Sequence, residues 1–277
     1  MALADLHTHT HYSDGTDSPQ RLLEQVAAAG IAAVAITDHD TMAGWREAVP
    51  LAAAHNIELI PGIEMSSSWQ GYEVHMLGFL MDPEHPGLKE FITWQGGRRI
   101  ERVREMVKKL QAAGVKIEAD DVFNVAGKGT IGRPHVAQAL LNRGYVSTLR
   151  EAFDRYIGNG GPGFVSGSST TPAEVIRIIR EAGGAPVLAH PMYLKDDSVI
   201  EQFVRAGLVG IEVYHSSHKP DLVLRYEQMA EKFGLLQTGG TDYHGSSKEG
   251  LPIGSTTVPY ALVERLKEWQ RKTTRAS

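Results

Sequence analysis

Six short apolar runs in this chain of 277 residues each end on side chains able to hold a cation, and that recurrence restricts the fold more than any other feature. ALADL leads into His7 and His9, IAAVAIT into His39, and IELIPG into Glu64. PVLA leads into His190, GIEV into Glu212 and His215, and LLQTGG into Asp242 and His244. Strands are predicted over 2–6, 31–36, 57–61 and 72–80, the last carrying His75, and again at PVLAHP, GIEVYH and LLQTGGTDYH. Helix signals fill the gaps. Ser18 and Pro19 open SPQRLLEQVAAAG and Gly30 closes it, while Thr171 and Pro172 open TPAEVIRIIREAGG; these are favoured caps and stops. Strands alternating with helices predict an α/β barrel. In such a barrel the C-terminal strand ends converge on one face, so donors scattered along the sequence meet in one site.

The rhythm changes from Pro83 to Val165. RRIERVREMVKKLQAAG, RPHVAQALLNRG and TLREAFDRYIGNG read as helices, with no strand between them. A helical insertion over 83–165 is therefore expected to cap barrel segments 1–82 and 166–277 and to contribute to substrate binding.

Composition narrows the chemistry. The chain has no cysteine, which removes disulfides, thiolate zinc sites, iron–sulfur clusters and a thiol nucleophile together. Lys plus Arg number 28 against 33 Asp plus Glu, a net charge of −5, so no basic field draws duplex nucleic acid. No basic-then-apolar leader and no apolar run of membrane-spanning length is visible. A cytoplasmic protein with no membrane role and no obligate protein partner is expected.

The donors themselves point to metal. His7 and His9 are two apart on a strand, so they face the same side, as do Asp242 and His244. Oxygen and imidazole donors without thiolate suit Zn, Mn or Fe. One histidine at a strand end is ordinarily a hydrogen-bonded structural residue. Six strand ends furnished alike make coincidence a poor explanation. Glu212 reads as a buried carboxylate paired with a neighbour and stays outside the ligand set. His215 and His218 read as residues of an outer layer or lid, and His55 and His85 as solvated.

DLHTHTHYSDG, TDHD, PGIE, EVHMLG, VLAHP and GGTDYHG, in this order, resemble the motifs of the polymerase-and-histidinol-phosphatase (PHP) family of phosphoesterases. The resemblance spans nearly the whole chain. It implies a distorted (β/α)7 barrel with two or three divalent ions at the strand ends, manganese first, with zinc, iron or magnesium as alternatives. It places ligands on His7, His9, Asp14, His39, Glu64, His75, His190, Asp242 and His244, while His11 falls where the family varies. On this pattern His7, His9, Glu64 and Asp242 hold one metal and form the catalytic set. Glu64, His75 and His190 hold a second, with Glu64 bridging, and Asp14, His39 and His244 hold a third.

GRPHVAQAL, AFDRYIGNGGPGFV and VIRIIREAGGAPVLAHP resemble the small stand-alone members of the family. That branch includes 3′,5′-nucleoside bisphosphate phosphatases and 5′-to-3′ exoribonucleases. It often carries a basic residue after GFV, where this chain has SGSSTT. The implied reaction is hydrolysis of the 3′-phosphate of a bisphosphate such as pAp, or of 5′-phosphorylated short RNA, by hydroxide generated at the metals. The leaving-group proton is assigned to His215 or to a metal-held water. Arg99 and Arg102, three apart on one helix face, and Arg133 and His135, at a helix start, are expected to hold the 5′-phosphate.

Four other readings compete. One is a phosphatase for another small ester of the histidinol-phosphate kind. Another is a non-catalytic metal-binding PHP module, disfavoured by the complete ligand set. An amidohydrolase would need a carboxylated lysine, and no lysine ends a strand. An RNA-binding module is disfavoured by the negative charge and by the lack of an aromatic recognition pattern.

Overall fold

Strand and helix alternate at both ends of the chain and not in its middle. The computed structural model describes residues 2–167, 169–248 and 250–274, so Ser168 of the SGSSTT run lies outside the described residues. First come β1 (Leu3–Thr8), α1 (Pro19–Ala28), β2 (Ala33–Ile36), α2 (Ala43–Ala52), β3 (Glu58–Trp69) and β4 (Tyr72–Phe79). Then α3 (Pro86–Ala112), α4 (Ala119–Ala126), α5 (Arg133–Asn142) and α6 (Leu149–Ala152) follow without a strand. The chain returns to strands with α7 (Pro172–Glu181), β5 (Ala185–Leu188), α8 (Ile200–Arg205), β6 (Gly210–His215), α9 (Pro220–Phe233) and β7 (Leu236–Gly240). β8 (Val258–Pro259) and α10 (Tyr260–Thr274), which the sequence did not announce, come last.

The sheet order is β7-β6-β5-β4-β3-β2-β1-β8. β1 to β3 are parallel, and so are β5 to β7. β4 runs antiparallel to both neighbours. The edges meet where His9 N–H donates to Tyr243 O and Asp242 N–H to His7 O, both at 2.8 Å. β8 pairs with the N-terminal half of β1 on the same edge. The result is a nearly closed mixed barrel, the distorted α/β barrel expected from sequence.

The distortion comes from β3. Predicted to end at Pro61, it continues to Trp69 because Ile63 and Met65 keep burying apolar surface against Val74 and Met76. Gln70 and Gly71, at φ +50° and +84°, then close a tight hairpin between Trp69 and Tyr72; two consecutive positive φ values match the twist of paired strands. Glu64 therefore lies inside a strand, not at its end, and His75 faces the site from the middle of an antiparallel strand.

α3 ties the helical stretch to the barrel. His85, expected to be solvated, caps it: the ring Nδ1 accepts the Leu88 N–H at 3.4 Å. The helix thus begins well before the charged run that predicted it and passes Gly96 and Gly97 unbroken. Leu88 packs into the barrel core with Met81 and Ile179. Val103, Met106 and Leu110 enter a second core with Val122, Val136, Leu140 and Ile157. Among the described residues no helix is long and apolar enough to cross a membrane.

A glycine makes the seam possible. A Cβ at Gly240 would stand 2.4 Å from His7 N and 2.6 Å from an Asp5 carboxylate oxygen. Gly240→Ala should therefore destabilise the protein by about 1–3 kcal/mol or more, since overpacking here displaces backbone. Gly96→Ala, where a Cβ meets nothing within 4 Å, should stabilise α3 by roughly 0.5–1 kcal/mol. Urea denaturation of both variants checks the contrast.

Candidate metal centre

The strand ends deliver a buried cluster built around one carboxylate. Glu64 is 1% exposed, and its two oxygens meet five imidazoles. Oε1 lies 2.9 Å from His75 Nδ1 and 2.8 Å from His190 Nε2. Oε2 lies 3.3 Å from His7 Nε2, 3.1 Å from His9 Nε2 and 3.3 Å from His39 Nδ1. Asp242 Oδ1 stands 3.5 Å from His7, 3.4 Å from His9 and 3.4 Å from His244. Asp14 Oδ1 is 3.2 Å from His244 Nε2, and its Oδ2 is 3.7 Å from His39 Nε2. All nine residues of the expected ligand set thus gather in one place.

Donor atoms of His9, Asp14, His39 and His244 all lie within 4.8 Å of one another, as do those of His7, His9 and Glu64, of His39, Glu64 and His75, and of His7, His215 and Asp242. His9 Nε2, Asp14 Oδ1 and His39 Nδ1 are buried without a hydrogen-bond partner. Buried polar atoms are rarely left so. Several cations bound by oxygen and imidazole would satisfy them, so the residues present fit a multinuclear metal site.

Charge is balanced within the cluster. Burial opposes the charged form of His9, but the Asp242 and Glu64 carboxylates push its pKa up to about 9. His7 is likewise raised against burial by Glu212, Asp242 and Glu64. Burial would raise Glu64, Asp14 and Asp242, yet the surrounding rings hold all three well below the carboxylate range. His39 and His190 are shifted down by burial.

A second layer fixes the first. Glu212, fully buried, pairs through Oε1 with His7 Nδ1 at 2.9 Å and accepts the His190 N–H through Oε2 at 2.7 Å. The pairing expected of it from sequence thus orients His7. With a proton on Nδ1 held by Glu212, the Nε2 lone pair of His7 is left free to hold a cation beside Glu64. Asp38 accepts from Thr10 N and Thr10 Oγ1, both at 2.7 Å, and from Ser13 Oγ at 2.8 Å, so it shapes the loop carrying Asp14. His215 sits 3.2 Å behind Asp242 Oδ2, and His218 Nδ1 donates to Val213 O. His190 and Asp242 adopt positive φ, +26° and +54°, the kind of strain held at functional sites.

A cavity of about 530 Å³ opens over the cluster. Besides Asp14, His39, Glu64, His75, His190, Asp242 and His244, its walls include Glu73, Arg133, Arg150, Tyr193 and Lys248. Lys248 also pairs with Asp242 Oδ2. Arg99 donates to Asp40 Oδ2 and Ser66 Oγ, both at 2.6 Å, and to Ile131 O at 3.1 Å. Arg102 donates to Glu73 Oε1 at 2.7 Å and to Val165 O, while Arg133 pairs with Glu73 Oε2. His135 Nδ1 accepts the Gly132 N–H at 3.0 Å. The sequence reading missed Glu73, Arg150, Tyr193 and Lys248. Glu73 carried a signal, since it lies two residues before His75 on a strand and shares its face.

The sequence profile of the PHP domain family matches residues 5–157. The chain belongs to the PHP domain family. A "3′,5′-nucleoside bisphosphate phosphatase" of Chromobacterium violaceum is 35% identical over 262 residues, covering 92% of each chain. A "5′-3′ exoribonuclease" of Haemophilus influenzae is 34% identical over 245 residues, covering 87% of this chain and 89% of that protein. The crystal structure of a Bifidobacterium adolescentis protein described as a metal-dependent phosphoesterase superposes with a TM-score of 0.88 at 33% identity, covering 95% of this chain and 94% of that one. This PHP protein is accordingly a metal-dependent phosphoester hydrolase.

Two measurements test the geometry. Glu212→Gln should weaken divalent-metal binding about 10–100-fold, as loss of a ligand's outer partner does; calorimetric titration with Mn²⁺ reads it. Glu73 is held at a pKa of about 2 although burial would raise it, because Arg133 and Arg102 oppose it. Its folded pKa lies below the ordinary 4.5, so its contribution is complete above 4.5 and is lost as pH falls toward 2. The stability gap between wild type and Glu73→Gln should stay level from neutral pH to about 5 and narrow by about 3 kcal/mol toward the folded pKa; urea denaturation across pH measures it.

Proposed function

We propose that this phosphoesterase removes the 3′-phosphate from a 3′,5′-nucleoside bisphosphate such as pAp while holding the 5′-phosphate on the helical cap. The observation that carries the reading is the single cavity joining the donor cluster to Arg133, Arg150 and Lys248. The name of the Chromobacterium violaceum relative supports the same substrate. The proposed holders are His7, His9, Glu64 and Asp242 for one ion, Glu64, His75 and His190 for a second, and Asp14, His39 and His244 for a third, with manganese the first choice. Bound there, divalent ions activate water and neutralise charge on the phosphate oxygens.

The chain's own residues do the rest. Glu212 keeps His7 turned so that Nε2 faces the cluster. His215, 3% exposed and outside the cavity wall, orients Asp242 instead of giving a proton to the leaving group. Ser217 N–H donates to its Nδ1, so its proton sits on Nε2, toward Asp242. Arg133 brings a cation from the start of α5, and backbone N–H groups there add to its pull on an anion. Lys248 brings another from the loop after β7.

A second reading, hydrolysis at the 5′ end of short RNA, is favoured by one feature. A smaller cavity of about 170 Å³, lined by Tyr72, Asn159, Phe164 and Tyr193, shares Glu73, Arg133 and Tyr193 with the large one. It offers aromatic faces to a further nucleotide. The Haemophilus influenzae relative bears an exoribonuclease name.

Chelation should abolish turnover, and Mn²⁺ should restore it. Wild type should prefer a 3′,5′-bisphosphate to a 3′-monophosphate. Arg133→Ala should lose most of that preference, roughly ten- to a hundredfold in kcat/KM, the cost of a charge-assisted contact. Equal loss on both substrates, with metal content intact, would remove Arg133 from the 5′-phosphate site.

A further inference from the structure

The cationic side of the cavity already holds an anion of its own. Glu73 sits at the junction of three spaces: the large cavity, an inner one of about 140 Å³ beside Arg99 and His135, and the smaller outer one. Its two oxygens are divided between two guanidinium groups, Oε1 with Arg102 and Oε2 with Arg133. Each arginine is only partly exposed, 16% and 25% at the side chain, and Glu73 is 20% exposed. The pairs are therefore screened far less than surface ion pairs.

The support on all sides is firm. Arg102 is anchored further by Val165 O, and Arg133 stacks over the Phe153 ring with its guanidinium carbon 5.8 Å from the centroid. The loop through Gly167 lies on Glu73 so closely that a Cβ there would approach the Glu73 Cγ to 2.8 Å. Arg99, the third guanidinium of this wall, is matched by Asp40. Three cations thus face two carboxylates, and the wall offers a net charge near one instead of three.

We propose that Glu73 is an internal counter-anion which an incoming phosphate must outcompete for Arg102 and Arg133, so that this wall selects a terminal phosphomonoester over a phosphodiester. The inference rests on the arginine wall being the site of the second phosphate, as proposed above. The selectivity follows from charge. A phosphodiester carries one negative charge, as Glu73 does, and gains nothing by replacing it. A phosphomonoester carries close to two at pH 8 and presents three oxygens to the guanidinium forks. Glu73 also shares its strand face with His75, so the selector is rigidly spaced from the metal donors by β4.

The test compares adenosine 5′-monophosphate with its 5′-methyl ester, titrated by calorimetry at pH 8 into the manganese-loaded full chain. Neither ligand carries a 3′-phosphate. Wild type should favour the monophosphate. Glu73→Gln should bind both ligands more tightly, the methyl ester by about tenfold and the monophosphate by less, so that the preference shrinks. Glu73→Asp, which keeps the charge but cannot span both arginines, should give an intermediate gain. It serves as the reporter if the glutamine variant loses its circular dichroism signal or cooperative melting. A folded variant with no gain, or with equal gain for both ligands, overturns the role of Glu73. Arg102→Ala and Arg133→Ala separate the two layers of the reading. If neither weakens binding of the monophosphate, the arginine wall itself is not the phosphate site. If they weaken it while the Glu73 variants behave as wild type, only the counter-anion inference fails.

Discussion

Glu64 is the constraint around which the rest of the molecule is arranged. A carboxylate with 1% exposure carries a large desolvation penalty unless several cationic or donor groups surround it. The barrel order supplies them. β3, which carries Glu64, is third in a run of five neighbouring strands, β1 to β5. His7 and His9 come from β1 and its end, His39 from beyond β2, His75 from β4 and His190 from beyond β5. Reversal of β4 lets His75 reach Oε1 from mid-strand, opposite Ser66, and a parallel strand in this place would have needed a crossover connection.

Closure of the barrel and assembly of the centre are one event. The hydrogen bonds that join β1 to the segment after β7 belong to His7, His9, Asp242 and Tyr243. Asp5 braces the same seam, accepting from Thr241 N at 2.9 Å and from the Thr241 hydroxyl. Burial raises its pKa to about 6 even so. Such a group contributes stability that is full below the ordinary value of 3.8 and is lost as pH rises through about 6. The fold therefore tolerates a buried carboxylate here for the geometry it enforces between the two strands that carry His7 and Asp242.

Much of this was legible in the sequence because the signals were local. Six apolar runs ending in donors, with the strand pattern around His75, gave seven of the eight strands, and the paired spacing of His7 with His9 and of Asp242 with His244 gave the grip. The full nine-residue set needed family resemblance, since Asp14 sits in a loop whose shape Asp38 imposes through contacts that spacing does not reveal. The length of β3, the capping role of His85 and the reach of α3 through two glycines were not legible. Each depends on burial against a distant element, and tertiary packing overrides local preference there.

The arginines show the same limit more sharply. Their clustering on α3 and at the start of α5 was visible, but their partners were not. Asp40 lies in a loop after β2 and Glu73 on β4, remote in sequence from the side chains they neutralise. Arg99 is engaged by Asp40, Ser66 and Ile131 and lines the inner cavity, whereas the cations that line the large cavity, among the described residues, are Arg133, Arg150 and Lys248. They come from α5, α6 and the loop after β7, hence from both the helical stretch and the barrel. For the three to act on one ligand, these two parts must keep a fixed spacing. α3 is built for that: Leu88 is locked in the barrel core and Leu110 in the helical core, on a single uninterrupted helix. The helix that looked from sequence like a carrier of phosphate-binding arginines is in the structure also the strut that joins the helical core to the barrel core.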